Sequence, residues 1–277
     1  MSLKISVAMS TFNRPHLLFH FFNSLKQFLP LKYDTEFVVV NDGIEDDTLN
    51  VCLSFRDLFD IKYIFTGERN KERLVSRNPA IPNNIAVRAT SGDILVLTCP
   101  EICHFNNSLE LLIEPLLEKD ELLTIPQAIL FDVKGAVLRA ISSGNYHVDT
   151  IEQGFKTPLH LFPLSVIHAP QMPFFMGLWK KHFVNINGYD EDFTGYAAED
   201  NDLVARLLFD LKYHRVNANV VHLFHGERCD SKTHFENPLW VQNWNLFQGR
   251  KGVIKRNTGI EWGNLAGREV LCLREQL

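Results

Sequence analysis

Two adjacent carboxylates, Glu199 and Asp200, follow the loop Phe193-Thr-Gly-Tyr-Ala-Ala and precede Leu203, Leu207 and Leu208 at helical spacing. The spacing predicts a helix whose first turn holds both acids, where they can face a cleft and exchange protons with a bound molecule. Acidic residues also favour the positive end of a helix dipole, and Asp200 or Asp202 serves equally as a cap. On these residues alone the pair reads either as chemistry or as a helix start. A second reactive set comes late in the chain, at His222 and His225, with Arg228 and Lys232 close behind. Residues an odd number apart point to opposite faces of a strand, so both imidazoles reach one ion only if the strand ends between them. A zinc hydrolase centre is the competing account of two nearby histidines, and the helical His-Glu-x-x-His pattern it would use is missing.

The elements that must position these groups alternate between two periods. Lys4 to Ser10 reads as a buried strand; Pro15 then opens an amphipathic helix with Leu17, Leu18, Phe21, Phe22 and Leu25 on its apolar side. Strands over Glu36 to Asn41, Ile61 to Phe65 and Asp93 to Leu97 alternate with helices over Asp46 to Phe59 and Asn83 to Thr90. This alternation predicts parallel pairing through right-handed crossovers, hence a Rossmann-like α/β/α sandwich around a mostly parallel sheet. In such sheets the ligand lies beyond the carboxyl ends of the strands. The residues there are Ser10-Thr11-Phe12-Asn13-Arg14, Asn41-Asp42-Gly43 and Thr98-Cys99-Pro100-Glu101. Each has a plainer account: turn chemistry for Asn-Asp-Gly, a cap for Thr11 or Asn13, a strand end at Pro100.

Composition narrows the class. With 277 residues, 45% hydrophobic and 22% charged, the chain can bury a large core. A net charge of -5 argues against a surface built mainly to hold nucleic acid. No apolar run reaches membrane-spanning length, and the opening Met1-Ser-Leu-Lys-Ile-Ser-Val runs straight into a strand pattern, so the expected location is cytoplasmic, with peripheral attachment at the inner membrane face left open. The five cysteines, Cys52, Cys99, Cys103, Cys229 and Cys272, show no CxxC spacing and read as free thiols.

Taken in order, the pieces resemble an inverting glycosyltransferase of the GT-A fold, in the large family 2 that uses nucleotide sugars, with the metal histidine of its chondroitin-polymerase-like and galactosyltransferase-like relatives. The resemblance runs from about Ile5 to His225. It is carried by Ser10-Thr-Phe-Asn-Arg-Pro15, the Val-Val-Val-Asn-Asp42-Gly43 strand end and Asn84-Ile-Ala-Val-Arg-Ala-Thr-Ser-Gly92-Asp93. It continues through Phe175-Met-Gly177, Asn187-Gly-Tyr-Asp-Glu191, the Glu199-Asp200 pair and His222-Leu-Phe-His225.

The resemblance implies roles. Thr11, Asn13 and Asp42 would hold the base and ribose of the nucleotide, with Asn83 and Asn84 nearby, and Arg228 or Lys232 would stabilise the leaving diphosphate. Glu101 stands at the last position of the family's Asp-x-Asp metal motif, with Cys99 where the first Asp belongs. Glu101 would bind Mn²⁺ or Mg²⁺ through hard oxygen, and Cys99 is expected to supply only packing or main-chain contacts. His225, before Gly226, matches the metal histidine, with His222 a structural or supporting partner. Asp200 would be the base that takes the acceptor proton, Glu199 would orient the acceptor, and a single displacement would invert the anomeric centre. The donor would be a nucleoside diphosphate sugar, UDP-linked; the acceptor, whether glycan, lipid-linked glycan, protein or modified base, is not written in the sequence.

A catalytic domain is expected over 1–228, its nucleotide-binding half to about 105 and its acceptor-binding half from about 106, with 229–277 as a loop and helical extension packed on it. In that extension Trp240 and Trp244 read as packing residues of an aromatic helix, and Gly263 to Leu277 as a last helix. Two other classes compete: a nucleotide-sugar-binding module without turnover, favoured by Cys99 and opposed by the retained Glu199-Asp200 pair, and a sugar nucleotidyltransferase, which would show a Gly-rich basic loop where Ser-Thr-Phe-Asn-Arg-Pro stands.

Overall fold

The computed structural model describes residues 3–67, 78–132, 135–144, 174–195, 197–226 and 237–275. Expectations placed on Arg228, Cys229 and Lys232 lie outside them. The first half follows the predicted alternation: β1 (Lys4–Thr11), α1 (Pro15–Leu25), β2 (Asp34–Asn41), α2 (Thr48–Ser54), β3 (Asp60–Phe65), α3 (Ala80–Arg88) and β4 (Ile94–Thr98). Two helices differ in extent. α2 stops at Ser54, after which Phe55 and Phe59 turn into the core while Leu58 is left exposed. α3 starts earlier than Asn83 because Pro82 fits the first turn, where its missing N–H is not needed.

Then come β5 (Ile102–His104), α4 (Ser108–Glu118), β6 (Leu122–Phe131), α5 (Ala136–Ser142), β7 (Phe175–Trp179), α6 (Lys180–Asn185), α7 (Glu199–Leu207) and β8 (Lys212–His222). The sheet order is β5-β8-β6-β7-β4-β1-β2-β3-β9, where β9 is Val270–Cys272. β1, β2, β3, β4, β6 and β8 run one way; β5, β7 and β9 run against them. The central strands alternate between two buried faces. Ile5, Val7, Phe37, Val39, Ile94 and Val96 pack under α1, α2 and α4, while Ala8, Val38, Val40, Leu95 and Leu97 pack under α3, α6 and α7. A sheet buried on both sides reads as continuous apolar runs, as these strands do.

The tail is built into the body. α8 (Pro238–Gly249) takes the predicted aromatic helix, with Trp240 and Trp244 stacked at 5.4 Å and 9°. The expected last helix is absent: Val270–Cys272 instead adds antiparallel to β3, followed by a short 3₁₀ turn. The edge of β3 offers unpaired backbone groups, and satisfying them outweighs the helical spacing of Leu265 and Val270. Trp262 is buried in the core beneath α3. Among the described residues no helix is long and apolar enough to cross a membrane, and the described cysteines are all free thiols.

Candidate active site

Because β1, β2, β4 and β8 run the same way, their last residues share one edge of the sheet, and a pocket of about 270 Å³ opens there. It brings Thr11, Asp42, Asn83, Glu101, Asp200, His222 and His225 onto one wall or another.

One wall of the pocket is formed by the tips of β1 and β2. Thr11 is buried, yet its hydroxyl has no partner; such an orphan costs about 1–3 kcal/mol unless a ligand satisfies it. Asp42 is buried beside it and accepts a hydrogen bond from the Thr66 hydroxyl. The Asn41 amide bonds Ile44, Asp46 and Tyr63, which stiffens the loop presenting Asp42. Gly43 lies close against Asn13: a Cβ there would come 2.3 Å from Asn13 Oδ1 and make that side chain move. Asn13, in the left-handed region at φ 55°, accepts from the Ile44 N–H at 3.2 Å.

The middle of the pocket carries the charge. β4 ends at Thr98 and β5 begins at Ile102, so the turn between them delivers Cys99 and Glu101 together. β8 ends at His222, which pairs in register with Ile102 and is wedged against the rings of Phe131 (5.0 Å) and Phe174 (4.9 Å). The strand therefore ends between the two histidines, as their joint use requires; their rings lie 5.3 Å apart and both line the pocket. The ligand atoms of Cys99, Glu101 and His222 lie within 4.8 Å of one another. One thiol, one carboxylate and one imidazole this close fit a divalent ion. Glu101 also pairs with the Arg14 guanidinium. Burial by itself would raise the Glu101 carboxyl, but Arg14 first and then the two imidazoles bring it down to about 2. Burial and the neighbouring Glu101 push the Cys99 thiol well up.

A further wall belongs to α7. Ala197 and Ala198 both take φ of 74°, and this left-handed pair turns the chain so that the first turn of α7 meets the pocket. Asp200 lines it together with Asn83 and Tyr189. The Asp200 residue is partly open to solvent, but its carboxyl is enclosed, and burial first and then the Glu199 charge hold it well above its ordinary range. Burial also raises Glu199, whose carboxylate accepts from Asn78 at 3.0 Å. Burial and the two acids raise the Tyr189 phenol, which shares a hydrogen bond with Asn83.

Residues 6–166, more than half of the chain, match glycosyl transferase family 2. The chain belongs to that family. Residues 174–226, from the start of β7 past His225, also match the N-terminal domain of galactosyltransferase. Validoxylamine A glucosyltransferase of Streptomyces hygroscopicus subsp. limoneus is 28% identical over 219 residues, 73% of this chain and 47% of the relative. The chain thus spans about half the length of the curated relatives it matches. Among solved structures, S. aureus TarS 1-349 superposes with TM-score 0.55 at 16% identity, over 88% of this chain and 64% of that one. Glucosyl-3-phosphoglycerate synthase from Mycobacterium tuberculosis, in complex with Mn²⁺, UDP and glucosyl-3-phosphoglycerate, does so with TM-score 0.53 at 17% identity, over 93% of this chain and 82% of that one. These likenesses show the fold, which is GT-A.

Within this family 2 pocket three sequence expectations change. Asn84 is fully buried and clamps the 189–191 turn, bonding Tyr189 N at 2.8 Å, Tyr189 O at 2.9 Å and Glu191 at 2.9 Å, so no amide group is left for a nucleotide. Asn13 braces the loop after β2 and lines an adjoining cavity instead. Cys99, expected to supply only packing or main-chain contacts, makes such a contact to the Phe174 carbonyl but also lies with Glu101 and His222, the histidine expected only to support His225. Sequence reasoning also gave no role to Arg14 or Tyr189; the signal for Arg14 was a cation next to the helix-opening proline, at the very edge where ligands bind.

Proposed function

We propose that this chain transfers a sugar from a nucleoside diphosphate sugar, UDP-linked, to an acceptor hydroxyl with inversion. The observation that carries the reading is the single pocket lined together by Thr11, Asp42, Glu101, His222, His225 and Asp200. Asp42 accepts from the base or ribose, and the Thr11 hydroxyl gains the partner it lacks. Glu101 and His222, with His225 beside them, would hold a divalent ion, which supplies charge stabilisation to the leaving diphosphate when bound. Arg14 adds a fixed positive charge at the same place. Asp200 takes the acceptor proton as its oxygen attacks the anomeric carbon, and the raised affinity of that carboxyl for protons suits a base working near neutral pH. Glu199 holds Asn78 and the negative field around Asp200, a supporting task rather than acceptor binding.

The neighbouring solved structures include complexes with UDP and Mn²⁺ or Mg²⁺ and with GDP-Man and Mn²⁺, and the curated relatives are named glucosyltransferases. UDP-glucose is therefore the first donor to test, followed by GDP-mannose. The catalytic unit spans 1–228 in this reading, with its nucleotide half before about 105, and works on the cytoplasmic side, where free thiols persist. A thermal-shift panel of nucleoside diphosphates and nucleotide sugars, with and without divalent ions, tests it. A ligand at a hundred times its dissociation constant stabilises the fold by about 2.7 kcal/mol. An ion-dependent rise with UDP or UDP-sugars is expected; no rise with any of them would count heavily against the proposal.

A further inference from the structure

The three groups at the middle of the pocket are chemically unlike. Glu101 offers oxygen and His222 nitrogen, but Cys99 offers sulfur, and all three ligand atoms lie within 4.8 Å of one another. Their backbone is well held. Cys99 follows directly on β4, its Sγ 3.8 Å from the Phe174 carbonyl. The Leu223 N–H bonds the Glu101 carbonyl at 2.8 Å, which ties the end of β8 to the turn carrying Glu101. His222 is wedged between two aromatic rings. All three line the pocket, with Arg14 and His225 beside them.

Magnesium wants near-octahedral oxygen ligation and binds thiol poorly; zinc and cobalt accept sulfur, imidazole and carboxylate together, and three protein ligands with one open position is the arrangement of a zinc site that works on substrate. We propose that this pocket takes a thiophilic divalent ion, Zn²⁺ or Co²⁺, through Cys99 sulfur, Glu101 oxygen and His222 nitrogen, in preference to Mg²⁺ or Mn²⁺. On binding, the Cys99 proton leaves to solvent as the sulfur–metal bond forms, and Arg14 yields its hold on one Glu101 oxygen. The ion's place beside a donor diphosphate rests on the transferase reading; ion binding itself is measured without turnover.

The test is titration of the metal-free protein with Co²⁺. A near-ultraviolet thiolate-to-cobalt charge-transfer band is expected to grow, to vanish when Zn²⁺ is added, and to persist in a large excess of Mg²⁺. Cys99→Ser should abolish the band and weaken Zn²⁺ binding by at least the roughly tenfold that follows loss of even a supporting partner at a metal site. Cys99→Asp should turn the preference toward Mn²⁺. Should either variant fold poorly, alkylation of the unaltered protein with peptide mapping decides: Zn²⁺, but not Mg²⁺, should protect Cys99. Absence of the band, absence of protection, or unchanged Zn²⁺ affinity in well-folded Cys99→Ser would overturn the inference. Failure of the transferase reading would appear separately, as no response to any nucleotide whatever the ion.

Discussion

Asp200 and Glu199 share one enclosed corner, and their titration belongs to the pair. As the proposed base, Asp200 must be unprotonated to act. Its carboxyl is held high by burial and then by the Glu199 charge, so activity should fall with decreasing pH along a limb lying above the ordinary carboxylate range. Asp200→Asn should lower kcat by about 10²–10⁴-fold, the usual worth of a positioned base, with UDP binding intact in the thermal-shift assay. Glu199→Gln should move the acid limb to lower pH, because it removes the negative neighbour that opposes Asp200 ionisation. A pH–rate profile checks both; an unmoved limb in Glu199→Gln would remove the electrostatic role.

The elements decide whether Asp200 arrives at the pocket at all. Two successive left-handed alanines precede α7, and such residues cost about 1–3 kcal/mol each unless their surroundings hold them. Asn243 of α8 supplies the hold: its amide donates to Thr194 O at 2.6 Å and Ala197 O at 3.1 Å. Asn243→Ala should lose about 1–3 kcal/mol of stability. It should also lower kcat by up to roughly 10²-fold through displacement of the base, with nucleotide binding unchanged. Comparing kcat with the UDP-induced thermal shift separates this from general unfolding. Further along the helix, Asp202 bonds Arg206 at 2.7 Å and Arg256 at 2.6 Å, all three buried. Arg256→Ala leaves Asp202 half-paired and Asp190 with one arginine fewer, so urea unfolding should show a loss of about 3–5 kcal/mol. In this way the tail holds the helix that carries the proposed base.

Across the whole molecule the two edges of the sheet do different work. At the edge away from the pocket, Glu36 is fully buried and receives hydrogen bonds from Ser6 and from both Ser91 N and Oγ, with Lys62 and Lys4 as ion partners. Burial alone would raise its carboxyl, but these donors together bring it down to about 2 from 4.5. A depressed folded value stabilises above the unfolded one and is lost as pH falls toward the folded one, here from about pH 5 to 2. At about 1.4 kcal/mol per unit this is on the order of 3 kcal/mol. Acid titration of the unfolding free energy should show that loss, and Glu36→Gln should flatten it while lowering stability at neutral pH. The Ser91-Gly92 part of the recognised pattern is thus structural. Gly92 fits because a Cβ would lie 2.6 Å from both Lys4 O and Ser6 Oγ.

Residue order was enough to establish the alternating α/β body, the strand ends that rim the pocket, and the group of Asp42, Glu101, His222, His225 and Asp200, because period and strand direction are local properties that carry the site with them. It could not separate Asn83 from Asn84: one turn of α3 sends the first into the pocket and the second into the 189–191 turn, and only packing chooses. Nor could it show that β9 would close the edge of β3, or that the turn holding Cys99 and Glu101 would stand against His222, since those contacts join residues far apart in the chain. Long-range pairing follows from which surfaces and unpaired backbone groups meet in three dimensions, and that is settled in the folded state alone.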